Sequence, residues 1–490
     1  MSRPARAWDL ALGLDDRPGV PLFRRISRAV VAEIERGRLR PGTRLPGSRT
    51  LAESLRVHRN TVLAAYEELI AEGWAESSRA RGTFVSGSLP DVRLRRTHDR
   101  LARARVQPAI GFDLRPAAAP RDLAVTGPGT WLASGGVPDV RLAPFVPLAR
   151  AYRRVIRTDP ESLLSYGHPE GHPRLRAALA SMLGATRGLT VGADDVVITS
   201  GSQMALDLVS RALLEPGDTV AIEDPGYARA WPAFRQTGAR LVPIAVDAGG
   251  LDIEALSTLV ARSPVRAVYV TPHHQYPTTA TLSAGRRIAL LELARRTRMA
   301  VIEDDYDHEY HYDGRPVLPL ASADRAGTVI YVGSLAKVLA PGVRLGYAVA
   351  PRALIERIAI HRAHLDRQGD HAIECAAAEL LEQGGVQRHA RRARRIYRAR
   401  RDYFVRALRR ELGSALSFEV PAGGLTIWAT VSADIDVEAW ASRALDQSVT
   451  LYTARRFTYD GRVRPQIRLG FAPFDERELA ALARKLRRAL

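Results

Sequence analysis

The chain has 490 residues, of which 46% are hydrophobic and 26% are charged, a composition typical of a globular protein with at least two domains. It contains no run of about 18 to 20 uncharged apolar residues and no signal-peptide pattern, so we expect a cytoplasmic protein with no membrane partner. Its single cysteine, Cys375, excludes an internal disulfide and a cysteine-rich metal site, and no metal site is predicted.

Positive charge is in excess, because 72 lysine and arginine residues outnumber 53 acidic ones and give a formal net charge of +19. This excess suits a polyanionic partner, although a biased genome would produce it equally well. The lysines are Lys337 and Lys485, and all other basic residues are arginines. Since a guanidinium keeps its proton, chemistry that needs a neutral amine points to Lys337, which follows an apolar strand pattern.

Three helical patterns and two short strand patterns follow one another near the N-terminus. The helical patterns span 21–36, 48–55 and 58–72, and the strand patterns span 74–76 and 83–85. Ser48 is the predicted N-cap of the second helix. This order predicts a winged helix-turn-helix domain over 15–86, with a three-helix protein-interaction module as the alternative.

In a winged helix-turn-helix the second helix of the motif enters the major groove, where arginine and asparagine bind guanine and adenine at two points. The start of the preceding helix and the tip of the wing suit contacts to phosphates or the minor groove. The predicted DNA-binding residues are therefore Arg49, Arg59, Asn60, Thr61, Arg81 and Gly82. Double-stranded promoter DNA is the expected partner.

This region resembles the GntR family of bacterial transcription regulators. The resemblance is carried by residues 45–49 (Leu-Pro-Gly-Ser-Arg), 57–66, 72–74 (Glu-Gly-Trp) and 81–85 (Arg-Gly-Thr-Phe-Val). The next segment, 87–120, is rich in proline, alanine and arginine and has no apolar stripe. It is predicted to be a flexible basic linker, either solvated or in contact with DNA phosphates.

Beyond the linker, short apolar strand patterns alternate with longer amphipathic helical patterns. The strand patterns span 196–199, 219–223, 267–270, 299–303 and 329–333. Such alternation predicts an α/β domain over 121–490, with a mainly parallel sheet covered by helices on both faces. Ligands of open parallel sheets bind beyond the carboxyl ends of the strands, so the residues after each strand belong to one candidate site.

Those residues supply the groups that pyridoxal phosphate requires, namely an amine, a carboxylate, a hydroxyl, a stacking ring and a phosphate cup at a helix N-terminus. The assignments are Lys337 for the Schiff base, Asp304 for the ring nitrogen, Tyr306 for the phenolate, Tyr227 for stacking, and Ser202, Gln203, Ser334 and Arg344 for the phosphate. By chemistry alone, Asp305 has an equal claim to the ring nitrogen.

The domain also resembles the fold type I aminotransferases, which depend on pyridoxal phosphate. Matching segments are 134–139, 166–171, 199–203, 223–227, 303–306, 334–337 and 468–471. The resemblance implies a smaller C-terminal α+β subdomain from about 352 to 490 and favours Asp304 over Asp305. It also implies that Tyr166 reaches the cofactor phosphate of a partner subunit, and that Arg468, with Gly136 nearby, holds the carboxylate of an amino-acid ligand.

One segment departs from the aminotransferase pattern. Where those enzymes carry Asn-Pro-Thr-Gly, this chain has Tyr-Pro-Thr-Thr at 276–279, preceded by His273, His274 and Gln275. The asparagine that bonds the ring phenolate is therefore missing, and either His274 or Gln275 is a candidate to replace it. Efficient transamination is not expected, so Lys337 is the only predicted catalytic residue, and a residual half-reaction is compatible with the site.

A GntR-type reader joined to such a domain is similar to the MocR group of regulators. The resemblance implies a homodimer, arranged head-to-tail, that binds promoter DNA and responds to a small molecule through Lys337. Two ligand classes compete: an amine with a carboxylate at Arg468 and a second acid at Arg229, or pyridoxal phosphate itself. The rival interpretation is a working aminotransferase whose N-terminal module mediates association.

Overall fold

The computed structural model describes residues 12–14, 20–78, 82–89, 112–113 and 129–490. The chain divides into two compact units, Met1–Ala118 and Ala119–Leu490. Most of the predicted linker 87–120 lies outside the described residues, as does Arg81 at the predicted wing tip.

The N-terminal unit contains three helices followed by an antiparallel hairpin. These elements are α1 (Leu22–Glu35), α2 (Ser48–Leu55), α3 (Arg59–Ala71), β1 (Ala75–Ser78) and β2 (Gly82–Val85). The hairpin pairs Ala75 with Val85 and Ser78 with Gly82. In the core, Ile26, Val62 and Leu69 are fully buried. The unit is a winged helix-turn-helix, as the order of the sequence patterns predicts.

The cap predicted for the second helix is wrong by one residue. Gly47, with extended backbone angles, is the N-cap, and Ser48 is already helical. The Ser48 hydroxyl instead accepts a hydrogen bond of 3.2 Å from Nε of Arg59 at the start of α3. His58 caps α3, because its Nδ1 accepts a hydrogen bond from the backbone N–H of Asn60.

The large unit is built on an eight-stranded sheet with the strand order β4-β11-β10-β9-β8-β5-β6-β7. Its strands are β4 (Val196–Thr199), β5 (Thr219–Asp224), β6 (Arg240–Asp247), β7 (Gly250–Leu251), β8 (Ala267–Val270), β9 (Ala300–Asp305), β10 (Val329–Ser334) and β11 (Gly346–Val349). The run from β10 through β6 is parallel, and β11 is antiparallel to both of its neighbours. The carboxyl ends of β4, β5, β8, β9 and β10 therefore lie at one edge of the sheet.

Helices cover both faces of this sheet, because successive side chains of a strand point to opposite sides. In β4, Val196 and Ile198 pack with the helix Pro173–Arg187, whereas Val197 packs with the helix Ser202–Leu213. The remaining helices of the large unit are Phe145–Thr158, Pro160–Leu164, Trp231–Arg235, Ile253–Arg262, Ala284–Thr297, Leu320–Ala323, Arg352–Leu365, His371–Glu382, Gly385–Leu412, Val437–Asp446 and Glu476–Ala489. None of the described helices combines the length and the apolar character that a membrane crossing requires.

A second, antiparallel sheet forms the core of the C-terminal region, with the order β12-β13-β16-β15. Its strands are β12 (Leu416–Ser417), β13 (Thr426–Val431), β15 (Tyr452–Thr453) and β16 (Gln466–Gly470), while β14 (Val449–Thr450) pairs in parallel with β3 (Trp131–Leu132). The fully buried Trp440 and Phe404 belong to this core. The helices Arg352–Leu365 and His371–Glu382 contribute Ile358 and Ala376 to the cores of the main sheet. The start of the small subdomain near residue 352 stays a prediction.

Candidate functional site

The carboxyl ends of the parallel strands open into a cavity of about 410 Å³ within the large unit. Its walls include the predicted cofactor residues Ser202, Gln203, Tyr227, Asp304, Tyr306, Ser334, Lys337 and Arg344, and the predicted effector residues Gly136, Arg229 and Arg468. Gly136 and Arg468, which are 332 positions apart in the chain, line the same cavity. The cavity lies at the carboxyl ends of the parallel strands, which is where the sequence predicts the site.

Lys337 lies in the turn after β10, and its amine faces the cavity. Its Nζ donates a hydrogen bond of 2.8 Å to the carbonyl of Gly136, and its own carbonyl accepts one of 2.8 Å from the Tyr310 hydroxyl. Burial, together with the positive charge of Arg468, lowers the pKa of Lys337 from 10.5 to about 8. The neutral amine, which is the nucleophilic form, is therefore accessible near physiological pH.

The geometry of β9 distinguishes Asp304 from Asp305. The strand continues to Asp305, two residues beyond the end predicted at Glu303, so the neighbouring carboxylates point to opposite faces. Asp304 lines the cavity. Asp305 points away from it, accepts a hydrogen bond of 2.8 Å from the Tyr331 hydroxyl and lies 3.7 Å from Nε of Arg187.

The carboxylate of Asp304 fits the ring nitrogen of pyridoxal phosphate. Its Oδ2 accepts a hydrogen bond of 2.8 Å from the Tyr269 hydroxyl, whereas its buried Oδ1 has no hydrogen-bond partner among the described residues. Burial raises the pKa of Asp304 to about 7, and the Tyr269 hydrogen bond opposes that rise. A buried acceptor without a donor costs free energy, and a cofactor N–H directed at Oδ1 would remove that cost. Sequence reasoning missed Tyr269, although its place in β8 beside β9 was the available signal.

The predicted phosphate cup surrounds the N-terminus of the helix Ser202–Leu213. Gly201 precedes it with φ +87°, and a Cβ at this glycine would lie 2.6 Å from Nη2 of Arg344. The same Nη2 donates a hydrogen bond of 2.6 Å to the carbonyl of Ser200. Free backbone N–H groups, a helix N-terminus and a guanidinium are the groups that hold phosphates in proteins, so this corner of the cavity fits a phosphate.

Two tyrosines and a threonine complete the wall of the cavity around Lys337 and Asp304. Tyr306 lines the cavity, and its hydroxyl donates a hydrogen bond of 2.9 Å to the carbonyl of His274. The ring of Tyr227 contacts the ring of Tyr276 edge-to-face at 4.9 Å between centroids. Thr271, which was not predicted, also faces the cavity and donates a hydrogen bond of 2.6 Å to the buried Glu223. The roles assigned to these side chains stay predictions.

The segment that departs from the aminotransferase pattern places a tyrosine in the cavity. Tyr276 lines it, whereas His274 and Gln275, the candidates to replace the missing asparagine, do not. Nε2 of Gln275 donates hydrogen bonds to Glu223 and to two backbone carbonyls. His274 pairs through Nδ1 with Asp307 at 2.8 Å. Neither side chain is thus available to a ligand in the cavity.

Arg468, on β16, brings a buried positive charge to the cavity. The side chain is 4% exposed, and no carboxylate of the described residues forms an ion pair with it. Its Nη1 donates to the carbonyl of Ser134 at 3.2 Å and to the Tyr276 hydroxyl at 3.3 Å. A Cβ at Gly136 would lie 2.6 Å from Nη2, so only glycine permits this approach. A buried guanidinium without a carboxylate partner is suited to an anionic ligand.

Tyr166 does not line the cavity and is 78% exposed. The guanidinium of Arg367 lies over its ring, 4.5 Å from the centroid. The contact predicted for it, with the cofactor phosphate of a partner subunit, stays a prediction. Its exposure leaves the ring accessible for such a contact.

In the N-terminal unit, the predicted DNA-binding residues lie at the starts of α2 and α3 and at the hairpin. Arg49, Arg59 and Asn60 are exposed and Thr61 is half-buried. Gly82, also exposed, opens β2. These positions are those that a helix-turn-helix and its wing present to DNA, whereas the contacts themselves stay predictions.

Comparisons with known proteins match both units. The family described as aminotransferase class I and II matches residues 129–486, and the family of bacterial regulatory proteins, gntR family, matches residues 22–85. The chain is 33% identical to the probable rhizopine catabolism regulatory protein MocR of Rhizobium meliloti, over 98% of this chain and 95% of that protein. It is 31% identical to the HTH-type transcriptional regulator TauR of Rhodobacter capsulatus, over 90% and 91% respectively.

Solved structures match the large unit. The α-aminoadipate aminotransferase LysN of Thermus thermophilus, crystallised with N-(5'-phosphopyridoxyl)-L-leucine, is 31% identical and superposes with a TM-score of 0.69. The match covers 74% of this chain and 92% of that one. MocR and TauR, which match nearly the whole chain, are named as regulators, whereas LysN, whose match covers 74% of this chain, is named as an aminotransferase.

Proposed function

Because the chain belongs to the MocR subfamily of GntR-type transcription regulators, which join a DNA-binding domain to an aminotransferase-like domain, we propose that a small amine ligand controls its binding to promoter DNA. The ligand acts in the cavity at Lys337, and the large unit serves as a sensor rather than as an enzyme. The observation that carries the proposal is that three groups meet in one cavity. They are the Lys337 amine, the Asp304 oxygen without a hydrogen-bond partner, and the Arg468 guanidinium, which forms no ion pair with a carboxylate of the described residues.

The cofactor of this fold is pyridoxal phosphate. When bound, it supplies an aldehyde that condenses reversibly with primary amines, and a ring that withdraws electrons. Asp304 would receive the ring N–H and keep it protonated. Tyr306 would turn its hydroxyl from the carbonyl of His274 and donate to the phenolate. The phosphate would be held by Ser202, Gln203, Ser334 and Arg344, and the ring of Tyr227 would pack against the cofactor.

Recognition of the effector is assigned to Arg468. Its guanidinium is buried and lacks a carboxylate partner among the described residues, so an α-carboxylate would be bound with little competition from solvent. The ligand amine would then compete with the amine of Lys337, and Arg229, also on the cavity wall, is the candidate for a second acidic group. A ligand changes DNA binding only by its difference in affinity between two states of the protein.

The test measures promoter binding by the full chain with and without pyridoxal phosphate and with a panel of amino acids. Lys337→Ala should abolish both the imine absorbance and the response of DNA binding to amino acids. Arg468→Ala should keep the absorbance and lose the response to carboxylated amines. Arg484→Ala, which removes an exposed arginine from the C-terminal helix, is the matched control.

The same experiment separates the two ligand classes. If DNA binding responds to pyridoxal phosphate alone and the Arg468 variant responds equally well, the cofactor itself is the signal. If neither the cofactor nor any amine changes promoter occupancy, the sensor proposal is wrong.

A working aminotransferase is the second candidate, because the cavity keeps the lysine, the ring-nitrogen carboxylate and the arginine of the enzymes it resembles. Tyr276 in place of the asparagine argues against efficient turnover. Sustained production of keto acid from ordinary amino donors, over many turnovers per chain, would favour the enzyme. A single half-reaction without turnover is what the sensor predicts.

We also propose that the protein acts as a head-to-tail homodimer that binds two half-sites. The exposed ring of Tyr166 supports this arrangement, because among the described residues only Arg367 lies over it. Tyr166→Phe should weaken cofactor binding without changing the mass of the dimer measured by light scattering. A monomeric protein with full cofactor affinity would contradict the arrangement.

A further inference from the structure

A group of histidines lies in the large unit, outside the wall of the cofactor cavity. His273 and His274 follow β8, and His311 follows the short helical turn His308–Tyr310 after β9. One nitrogen from each of the three rings lies within 4.8 Å of a nitrogen from each of the others. The three rings come from two separate segments of the chain, which is why no spacing motif reveals them in the sequence.

Each of the three rings has one buried nitrogen that lacks a hydrogen-bond partner among the described residues. Nε2 of His273, Nε2 of His274 and Nδ1 of His311 are all buried, and none has a hydrogen-bond partner among the described residues. The residues His273 and His274 are only 4% and 2% exposed. Buried polar atoms are almost always satisfied in native proteins, so three unsatisfied nitrogens in one place indicate a shared ligand.

The surroundings hold the rings in the form that binds metals. Nδ1 of His274 lies 2.8 Å from Oδ1 of Asp307, so Nδ1 carries the proton and Nε2 presents its lone pair. Neutral imidazoles are ligands for metal ions, whereas protonated ones are not.

Carboxylates behind the rings supply the negative charge that a cation needs. His308 stacks on His273 with 4.6 Å between centroids, and its Nδ1 lies 2.8 Å from Oδ2 of Asp305. Asp307 contacts His274 directly. In metal sites, the ring nitrogen of a histidine that does not bind the metal is usually hydrogen-bonded to a carboxylate. Asp307 holds His274 in this way.

The backbone opposite the rings leaves room for this arrangement. Gly423 pairs with His311 in an isolated β-bridge, and a Cβ at Gly423 would lie 2.1 Å from Nε2 of His274. Any other residue at this position would displace the His274 ring. The position therefore requires glycine for a reason unrelated to backbone angles.

We propose that His273, His274 and His311 bind one divalent transition-metal ion of the zinc class. Three imidazoles select zinc, cobalt, nickel or copper over magnesium and calcium, which prefer oxygen ligands. A tetrahedral ion with Zn–N bonds of about 2.0 to 2.1 Å holds its ligand nitrogens about 3.3 Å apart. The three nitrogens lie within 4.8 Å of one another, so binding would draw the rings closer together. The fourth position is left to water.

The metal site is independent of the proposed sensor function. The carbonyl of His274 accepts the hydrogen bond of the Tyr306 hydroxyl, so a bound ion would stiffen the segment that adjoins the cofactor cavity. The ion itself requires neither pyridoxal phosphate nor an amine. If the sensor proposal failed, the metal-site proposal would be unaffected. If no metal bound, the sensor proposal would be unaffected.

The test uses the untagged full chain, freed of metal with a chelator and titrated with Zn²⁺ against a competing indicator. The expected result is one Zn²⁺ per chain, and with Co²⁺ a visible ligand-field spectrum of a four-coordinate ion. His311→Gln and His273→Gln should each weaken Zn²⁺ binding at least 100-fold. Asp307→Asn should weaken it by about 10 to 100-fold, the range seen when a second-layer partner is removed.

His364→Gln is the matched control, because His364 is exposed and lies on the helix Arg352–Leu365. It should bind Zn²⁺ as the parent chain does. Circular dichroism and the imine absorbance with pyridoxal phosphate show whether each variant is folded. If His273→Gln does not fold, the test rests on His311→Gln, because His311 is only partly buried. Parent protein with no bound Zn²⁺, or equal binding by His311→Gln and His364→Gln, would overturn the proposal.

Discussion

Lys337 carries a primary amine whose surroundings favour its neutral form. Its pKa is lowered to about 8, by burial first and by Arg468 next. Only the neutral amine attacks an aldehyde, so the rate of imine formation with pyridoxal phosphate should rise with pH to a midpoint near 8, and not near 10.5. Stopped-flow absorbance measures this profile.

A matched variant separates the two causes. Arg468→Gln removes the nearby positive charge while leaving the amine buried, so the midpoint should move upward and stay below that of free lysine. A profile for the parent chain that climbs to the pKa of free lysine would show that the amine is solvated.

Thr279 adopts a left-handed backbone conformation with φ +64°, which is unfavourable for a β-branched residue. It occupies the position at which the related enzymes carry glycine. Thr279→Gly should therefore stabilise the large unit by about 1 kcal/mol, because glycine enters this region without the steric cost. Urea unfolding measures the change.

Thr278→Gly serves as the comparison for this prediction. The Thr278 hydroxyl donates a hydrogen bond of 2.6 Å to Gln275, and its φ is not positive. Its replacement should destabilise the protein. Equal effects of the two substitutions, in either direction, would contradict the assigned strain.

The sequence shows which chemical groups gather at the sheet edge but not how each is directed. The choice between Asp304 and Asp305 depends on where β9 ends, and the apolar pattern places that end two residues too early because both carboxylates are buried inside the strand. The histidine group escapes prediction for a different reason. The three histidines belong to two separate segments with no metal-binding spacing, and only the turns after β8 and β9 bring them together.

At the scale of elements, α3 is the helix predicted to carry the specificity of DNA recognition. Asn60→Ala should weaken binding to the promoter by about 1 to 3 kcal/mol and leave binding to random DNA nearly unchanged, since it removes a base contact. Arg49→Ala should weaken both and lower the slope of log affinity against log salt by about 1, since it removes a phosphate contact. Fluorescence anisotropy at several salt concentrations measures both quantities.

Arg28→Ala is the control for these variants, because Arg28 is an exposed arginine on α1 away from the starts of α2 and α3. It should change neither affinity nor salt slope. If Asn60→Ala weakened random and promoter DNA alike, α3 would not be the reading helix.

The elements themselves were largely predictable. Strands β4 and β8 have the predicted bounds, and β5, β9 and β10 differ by one or two residues. Short buried strands between turn residues leave a clear pattern, whereas helix caps depend on single backbone angles. Gly47 is the cap because its backbone is extended, whereas Ser48 is already helical. The Ser48 hydroxyl accepts a hydrogen bond from Arg59 on α3.

At the scale of the molecule, each unit has a hydrophobic core of its own. Calorimetry of the full chain should therefore show two unfolding transitions. Pyridoxal phosphate at 100 times its Kd should stabilise one of them by about 2.7 kcal/mol, and promoter DNA should stabilise the other. A single transition that both ligands shift would contradict independent cores.

The two-unit architecture follows from the order of patterns along the chain, which changes from three helices and a hairpin to alternating strands and helices. Pattern alone does not locate the smaller subdomain, because helical patterns occur on both sides of any boundary that could be drawn there. The packing of the helices Arg352–Leu365 and His371–Glu382 against the main sheet is a property of the assembled core.

The alternation of carboxylates along β9 limits how this protein can change. Asp304 serves the cofactor cavity, while Asp305 on the opposite side supports Arg187 and, through His308, the histidine group. A point substitution can alter one function and spare the other. An insertion or deletion of a single residue within β9 would exchange the two faces. The cavity would then lose its carboxylate, and Arg187 and His308 would lose theirs, in a single genetic event.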